Sequence, residues 1–206
     1  LENLSKVIAT GVDMLPTLVG LCEVENEMVV KDLVNTNNLK PGNYDYVHYD
    51  SPDERGIDVA LLYNKKDFKV KSSKAIAVTL PGEKQDITRD ILMVNGEILI
   101  NGKKEQLFVF VNHWPSRSEG EEVSAPKRAA AATKLKEVVD SLNAKLDNPN
   151  IVIMGDFNDT PLDISIQKIL NAQATADTYA EETLVNLMTK LQTTGQGSYN
   201  YKGNWQ

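Results

Sequence analysis

The segment "NIVIMGDFNDTP", residues 150–161, constrains this chain most, because four apolar residues run straight into Gly155, Asp156, Asn158 and Asp159. A short, uninterrupted apolar run is what a fully buried strand requires. Such a strand normally stops at a turn chosen for its geometry, and Gly155 with Asp159-Thr160-Pro161 would suffice for that. The carboxylates and the amide need another reason. Two further apolar strands end the same way: "LVGLCEVEN" delivers Glu23, and "LFVFVNHWPSR" delivers Asn112 and His113. Polar groups presented by the ends of rigid strands are what a preorganised site needs.

The rest of the pattern fixes the fold class. "LENLSKVIATG" sets Leu1, Leu4, Val7 and Ile8 on one helical face with Gly11 as a stop, and "EMVVKDLV" reads as a helix capped by Asn26. "YDYVHYD" and "IDVALLYN" are strands around the polar turn "SPDERG". "AIAVTL", "TRDILMV" and "EQLFVFVNH" add strands joined by "PGEKQD" and "NGKK", so the middle of the chain reads as an antiparallel meander. "SRSEGEEVSAPKR" has the polarity of a surface loop, and "AAAATKLKEVVDSLNAKL" is the strongest helix. Another helix is expected from about Pro161 to Leu170 with Thr160 as its cap. Helices near both ends and strands between them predict a mixed α/β sandwich (α+β), two mostly antiparallel sheets packed face to face with helices outside. A chain of 206 residues suits a single domain spanning 1–206.

Charge and composition narrow the partners. With 22 basic and 29 acidic residues the formal net charge is −7, so long duplex DNA meets no general positive field. A local patch of Arg55, Arg89, Arg117, Lys127 and Arg128 is the feature that would override this. No apolar run reaches the roughly 20 residues of a membrane span. The lone Cys22 excludes an internal disulfide framework and reads as a small buried hydrophobe. The chain opens on Leu1 rather than Met, which leaves room for a signal peptide upstream of a soluble, secreted or periplasmic protein.

Each strand-end group has a chemical reading and a plainer one. Glu23, next to core residues, suits a hard divalent cation, which takes one or two carboxylates plus oxygens of water and substrate; alternatively it simply emerges into solvent. Asp156 and Asn158, two apart, would lie about 6–7 Å apart on one side of an extended chain, letting a carboxylate hold water while an amide meets a phosphate oxygen. Otherwise they are turn residues that satisfy backbone N–H groups, as Asp159 is expected to do as a cap. His113 suits acid–base work near neutral pH or an ordinary structural place, and Arg117 has the fork that matches phosphate. His48 is read as a strand residue with no role.

Taken together, "LVGLCEVEN", "RGIDVALLY", "TRDIL", "FVNHWPSR" and "IVIMGDFND" resemble, in order, the motifs of the endonuclease/exonuclease/phosphatase superfamily of deoxyribonuclease-like phosphodiesterases. The resemblance covers most of the chain and implies a four-layered α/β sandwich with its site at the rim of two packed sheets. It implies Glu23 as ligand of Mg²⁺ or Mn²⁺, Asp156 as orienter or base of the attacking water, Asn158 on the scissile phosphate and His113 in contact with phosphate. It further implies Arg89 fixing nearby backbone or phosphate and Asp58 buttressing the His, and Arg89, Asn112 and Arg117 are the expected substrate-binding residues. The expected activity is metal-dependent hydrolysis of phosphodiesters or phosphomonoesters by a monomer, with a small phosphodiester, a lipid head group or a short nucleic acid as substrate. A non-catalytic binding module on the same scaffold is the alternative. The family's opening Asn strand and closing Asp-His pair have no counterpart here, which suggests a bacterial member shortened at both ends, with little activity from this stretch alone.

Overall fold

A computed structural model describes residues 1–11, 13–82, 87–174, 179–180, 183–197, 200–201 and 204–205. The chain forms two compact units, the first built from 1–78, 87–113 and 149–156, the second from 79–86, 114–148 and 157–206.

In the first unit, α1 (Glu2–Thr10) and α2 (Glu27–Val34) fall where apolar spacing puts them. Asn26 caps α2 by accepting a hydrogen bond from the Val29 amide at 3.0 Å. Strands β1 (Leu18–Val24), β2 (Tyr44–His48) and β3 (Asp58–Asn64) form an antiparallel sheet with β3 in the centre. A second sheet runs β4 (Phe68–Ile76), β5 (Ile91–Ile100), β6 (Lys103–His113) and β7 (Asn150–Asp156), antiparallel except for the parallel pair β6–β7. The β5–β6 turn places Asn101 and Gly102 at φ 51° and 77°, the left-handed pair that a two-residue hairpin favours. β4 begins at Phe68, ahead of the expected "AIAVTL", because it pairs along β5 from Ile98 back to Ile91. Residues 83–86 of the "PGEKQD" turn lie outside the described residues.

Alternation along β3 explains the layers. Val59 and Leu61 face the second sheet, clustering with Phe68, Leu92, Val94, Leu107, Val109 and Val111. Ala60 and Leu62 point the other way, clustering with Val24, Val30, Leu33, Leu39 and Tyr44. A strand buried on both faces needs an unbroken apolar run, and full burial of each large side chain stabilises by about 1.5–3 kcal/mol. The first unit is thus a helix layer on a three-stranded sheet on a four-stranded sheet.

The second unit departs more from expectation. α3 spans Glu121–Asn143 and so begins inside the stretch read as a surface loop. Glu121 and Glu122 favour its first turn, and Ser124, Arg128, Ala131, Ala132, Leu135 and Val139 form a buried stripe at helical spacing that polarity alone concealed. The helix expected over 161–170 is only a π-helical turn, Ser165–Ile169. Thr160 does not cap it; its amide donates instead to Asp163 at 2.6 Å. Short β8 (Gln173–Ala174) pairs in parallel with β9 (Val185–Asn186), and α4 (Thr189–Thr193) precedes the paired β10 (Asn200–Tyr201) and β11 (Asn204–Trp205). No helix among the described residues is long and apolar enough to cross a membrane.

Candidate active site

The end of β1 is irregular where Glu23 sits. Its register with β3 holds to Leu21↔Ala60 and resumes at Val24↔Asp58, so Cys22 and Glu23 together face one residue of the partner. This bulge gives Glu23 a φ of 58°, a left-handed conformation that costs a side chain with Cβ about 1–2 kcal/mol. Its carboxylate is 64% exposed and lies 3.7 Å from His113 Nε2. Strained non-glycine backbone at a strand end, aiming an acid at an imidazole, is how functional sites are commonly built.

The parallel pairing of β6 with β7 sets His113 opposite Asp156. Asp156 Oδ2 lies 3.9 Å from His113 Nε2, on a side chain that is 55% exposed, while the imidazole itself is 3% exposed. His113 Nδ1 is buried without a hydrogen-bond partner among the described residues. Burial, aided by the Arg89 guanidinium, lowers the His113 pKa below the ordinary histidine value against the opposing pull of Asp156 and Glu23. The ring is therefore neutral at neutral pH, and two carboxylates facing Nε2 favour the tautomer with its proton there. Arg89 fixes the ring's backbone: its Nε donates to the His113 carbonyl at 2.9 Å, and an amino group donates to Asp53 at 2.8 Å.

Three neighbouring residues take structural places. Asn112 is fully buried and its amide donates to the Met154 carbonyl at 3.3 Å, tying β6 to β7 in place of the substrate contact expected of it. Cys22, read as a buried hydrophobe, donates from Sγ to the Asn112 carbonyl at 3.3 Å, and burial pushes its thiol up to about 11. Asp58 does not buttress His113. It meets His48 Nε2 at 2.9 Å and accepts from the Ser51 amide at 2.8 Å, because His48 pairs with Ala60, two residues along β3 from Asp58 and on the same face of the strand. His48, given no role in the sequence reading, forms with Asp58 a pair whose side chains are both buried.

Two groups have the donors for a cation. His48, Asp50 and Asp58 bring ligand atoms within 4.8 Å of one another, yet His48 and Asp58 already satisfy each other. Glu23 and Asp156 instead offer exposed carboxylates 3.7 and 3.9 Å from His113 Nε2, the hard oxygen donors that Mg²⁺ or Mn²⁺ takes together with water. The residues present at the strand ends fit the implied ion.

The second unit holds Asn158 and Arg117. The strand ends at Asp156, and Asn158 adopts φ 50°, so the extended geometry expected across 156–158 is not adopted; asparagine tolerates this region well. Asn158 Nδ2 donates to the Trp114 carbonyl at 2.9 Å, and the Trp114 and Phe157 rings pack edge to face at 4.8 Å. Arg117, expected on phosphate, donates from Nε to the Asn158 carbonyl at 2.8 Å and from an amino group to Asp159 at 2.7 Å and Asp163 at 2.6 Å. Asp159, expected as a cap, is held by Arg117, the fully buried Arg128 and Ser165. Nothing in the local sequence revealed this network, since its arginines are 31 to 46 residues from the aspartates they meet.

Facing sheets whose strand ends gather an imidazole and two carboxylates define an α/β sandwich with a polar rim site. The chain belongs to the Endonuclease/Exonuclease/phosphatase family, whose model matches residues 1–206. No curated protein matches it. Among solved structures it is similar to the human Nocturnin catalytic domain with bound sulfate (18% identity, 80% of this chain and 58% of that one, TM-score 0.55). It is also similar to TDP2 from C. elegans (19%, 77% and 42%, TM-score 0.55) and to ANGEL2, a 2′,3′-cyclic phosphatase, in complex with adenosine-2′,3′-vanadate (17%, 81% and 46%, TM-score 0.57). These structures share the α/β sandwich expected from the sequence, and the chain spans about half the length of the solved chains it matches.

Proposed function

We propose that this chain carries the catalytic groups of a divalent-metal-dependent hydrolase of phosphate esters, acting by attack of an activated water. The observation that carries this reading is the convergence of Glu23 and Asp156 on His113 Nε2, at 3.7 and 3.9 Å, with Glu23 held there by a strained bulge. Glu23 would hold Mg²⁺ or Mn²⁺, and such an ion, when bound, supplies polarisation of a phosphoryl oxygen. Asp156, 55% exposed at the strand end, accepts a proton from the attacking water or orients it. Neutral His113 donates from Nε2 to a phosphoryl oxygen as negative charge develops there. Arg89 keeps the ring in place through the His113 carbonyl. Asn158 has the phosphate-binding role that its motif implies, with Arg117 as the positioning residue on its carbonyl.

The acidic net charge favours a small phosphodiester, a lipid head group or a short nucleic acid over long duplex DNA. The ester chemistry agrees with the cyclic phosphatase ANGEL2, and the single-stranded DNA product bound to D. rerio TDP2 agrees with a short nucleic acid. The test is turnover of bis(4-nitrophenyl) phosphate with Mg²⁺ or Mn²⁺ and with chelator, on wild type, Asp156→Asn and Glu23→Gln. Asp156→Asn should cut kcat by orders of magnitude with binding kept, and Glu23→Gln should raise the metal concentration for half activity. Equal, metal-insensitive losses would contradict these roles. Absence of any metal-dependent turnover by a protein with complete ends would leave a binding module on the same scaffold.

A further inference from the structure

Five basic residues were candidates for a local positive patch, and the structure sorts them by what they already hold. Arg89 and Arg128 are buried in hydrogen-bonded pairs, Lys127 meets Glu119 at 2.7 Å, and Arg117 is ringed by Glu121, Asp159 and Asp163. Arg55 differs. Its side chain is 55% exposed, and its single ion pair among the described residues is a loose 3.5 Å approach of Nε to Asp53. Both terminal amino groups of its guanidinium are therefore available to an anion.

The loop carrying Arg55 is tied down. Asp58 accepts from the Ser51 amide, Ser51 Oγ donates to the Ile57 carbonyl at 3.2 Å, and the Arg55 amide donates to Asp53 Oδ1 at 3.1 Å. Gly56 closes the turn at φ 62°, its amide on the Asp53 carbonyl at 2.9 Å. Asp53 then makes its short bond to Arg89, which holds the His113 carbonyl. A continuous chain of contacts thus links Arg55 through Asp53 and Arg89 to the backbone of His113. An exposed arginine on a flexible turn holds little, because ordering its long side chain costs what the pair gains. A planar fork on an anchored loop is preorganised for phosphate.

We propose that Arg55 is a substrate-binding residue that forks onto the anionic phosphate of the ester, with Asp53 as its positioning residue. This rests on the hydrolase reading above and adds a preference within it: monoanionic or dianionic phosphate esters over neutral esters. The "SPDERG" segment is then part of the site rather than a connecting turn.

The test pairs kinetics with a binding measurement that needs no turnover. Wild type, Arg55→Gln and Arg55→Lys are compared for hydrolysis of bis(4-nitrophenyl) phosphate with Mn²⁺ and for affinity toward inorganic phosphate by calorimetric titration. Arg55→Gln should raise KM and weaken phosphate affinity by about tenfold, the scale of one charge-assisted contact, with kcat within about twofold and Tm unchanged. Arg55→Lys should recover only part, because a point charge lacks the fork. A wild type that hydrolyses the ester and is matched by Arg55→Gln in KM and phosphate affinity overturns the assignment and leaves the hydrolase reading intact. Phosphate binding lost in Arg55→Gln, in a protein with complete ends that never turns over the ester, supports Arg55 and sinks that reading. A fall in Tm and kcat together in Arg55→Gln assigns the residue to folding and overturns the proposal.

Discussion

Gly155 runs so close to Asn112 that a Cβ built on it would lie 2.0 Å from the Asn112 carbonyl oxygen and 2.7 Å from its nitrogen, at a φ of 130°. The two residues face each other in the parallel β6–β7 pair, one step before His113 faces Asp156. The glycine that ends the apolar run is therefore what lets the two site-bearing strands approach. Gly155→Ala combines a backbone collision with an unfavourable φ and should cost about 3 kcal/mol, seen as a lowered denaturation midpoint, with loss of activity alongside. A midpoint equal to wild type would mean that the strands can separate without harm.

Glu23 should trade stability for position. At φ 58° glycine carries no Cβ penalty, so Glu23→Gly should be more stable than Glu23→Ala by about 1 kcal/mol, although neither can ligate a cation. Thermal unfolding of the two variants decides it, and equal Tm values would show that the bulge stores no strain.

The Arg128 side chain is fully buried and donates to Asp159, Ser124 and Glu121. Arg128→Ala takes one of two guanidinium partners from the buried Asp159 carboxylate and should cost about 3 kcal/mol, while the double variant Arg128→Leu with Asp159→Leu should recover part of that. Denaturant melts of the single and double variants measure the coupling. Simple additivity would mean that the pair contributes little.

Asp90 supplies a pH dependence with a definite sign. Burial, with the charge of Asp58 nearby, raises its pKa above the ordinary carboxylate value, and its Oδ1 is buried without a hydrogen-bond partner among the described residues. The folded state binds this proton more tightly than the unfolded state. The resulting stability is fully present below the unfolded pKa near 4 and is lost as pH rises through the folded value. Asp90→Asn should therefore raise Tm at pH 7 and lose that advantage toward pH 3.5. An advantage independent of pH would place the effect in packing instead of ionisation.

Short-range patterns carried much of this molecule. The period-two alternation of "IDVALLYN", the apolar runs that end in Glu23, His113 and Asp156, and the Asn26 cap are local signals, because a strand's faces and a helix's first turn are decided within a few residues. The order of five motifs identified the family before any coordinates, and the family model spans residues 1–206. Contacts between distant segments were decided only by the tertiary structure. Asp58 chose His48 over His113 because cross-strand register brought them to 2.9 Å. α3 began at Glu121 because a buried arginine and small side chains, all polar or neutral in sequence, found partners far along the chain. Which of five cations stayed exposed depended on which carboxylates met them, and burial removes a charge from solvent without leaving any mark in its neighbouring residues.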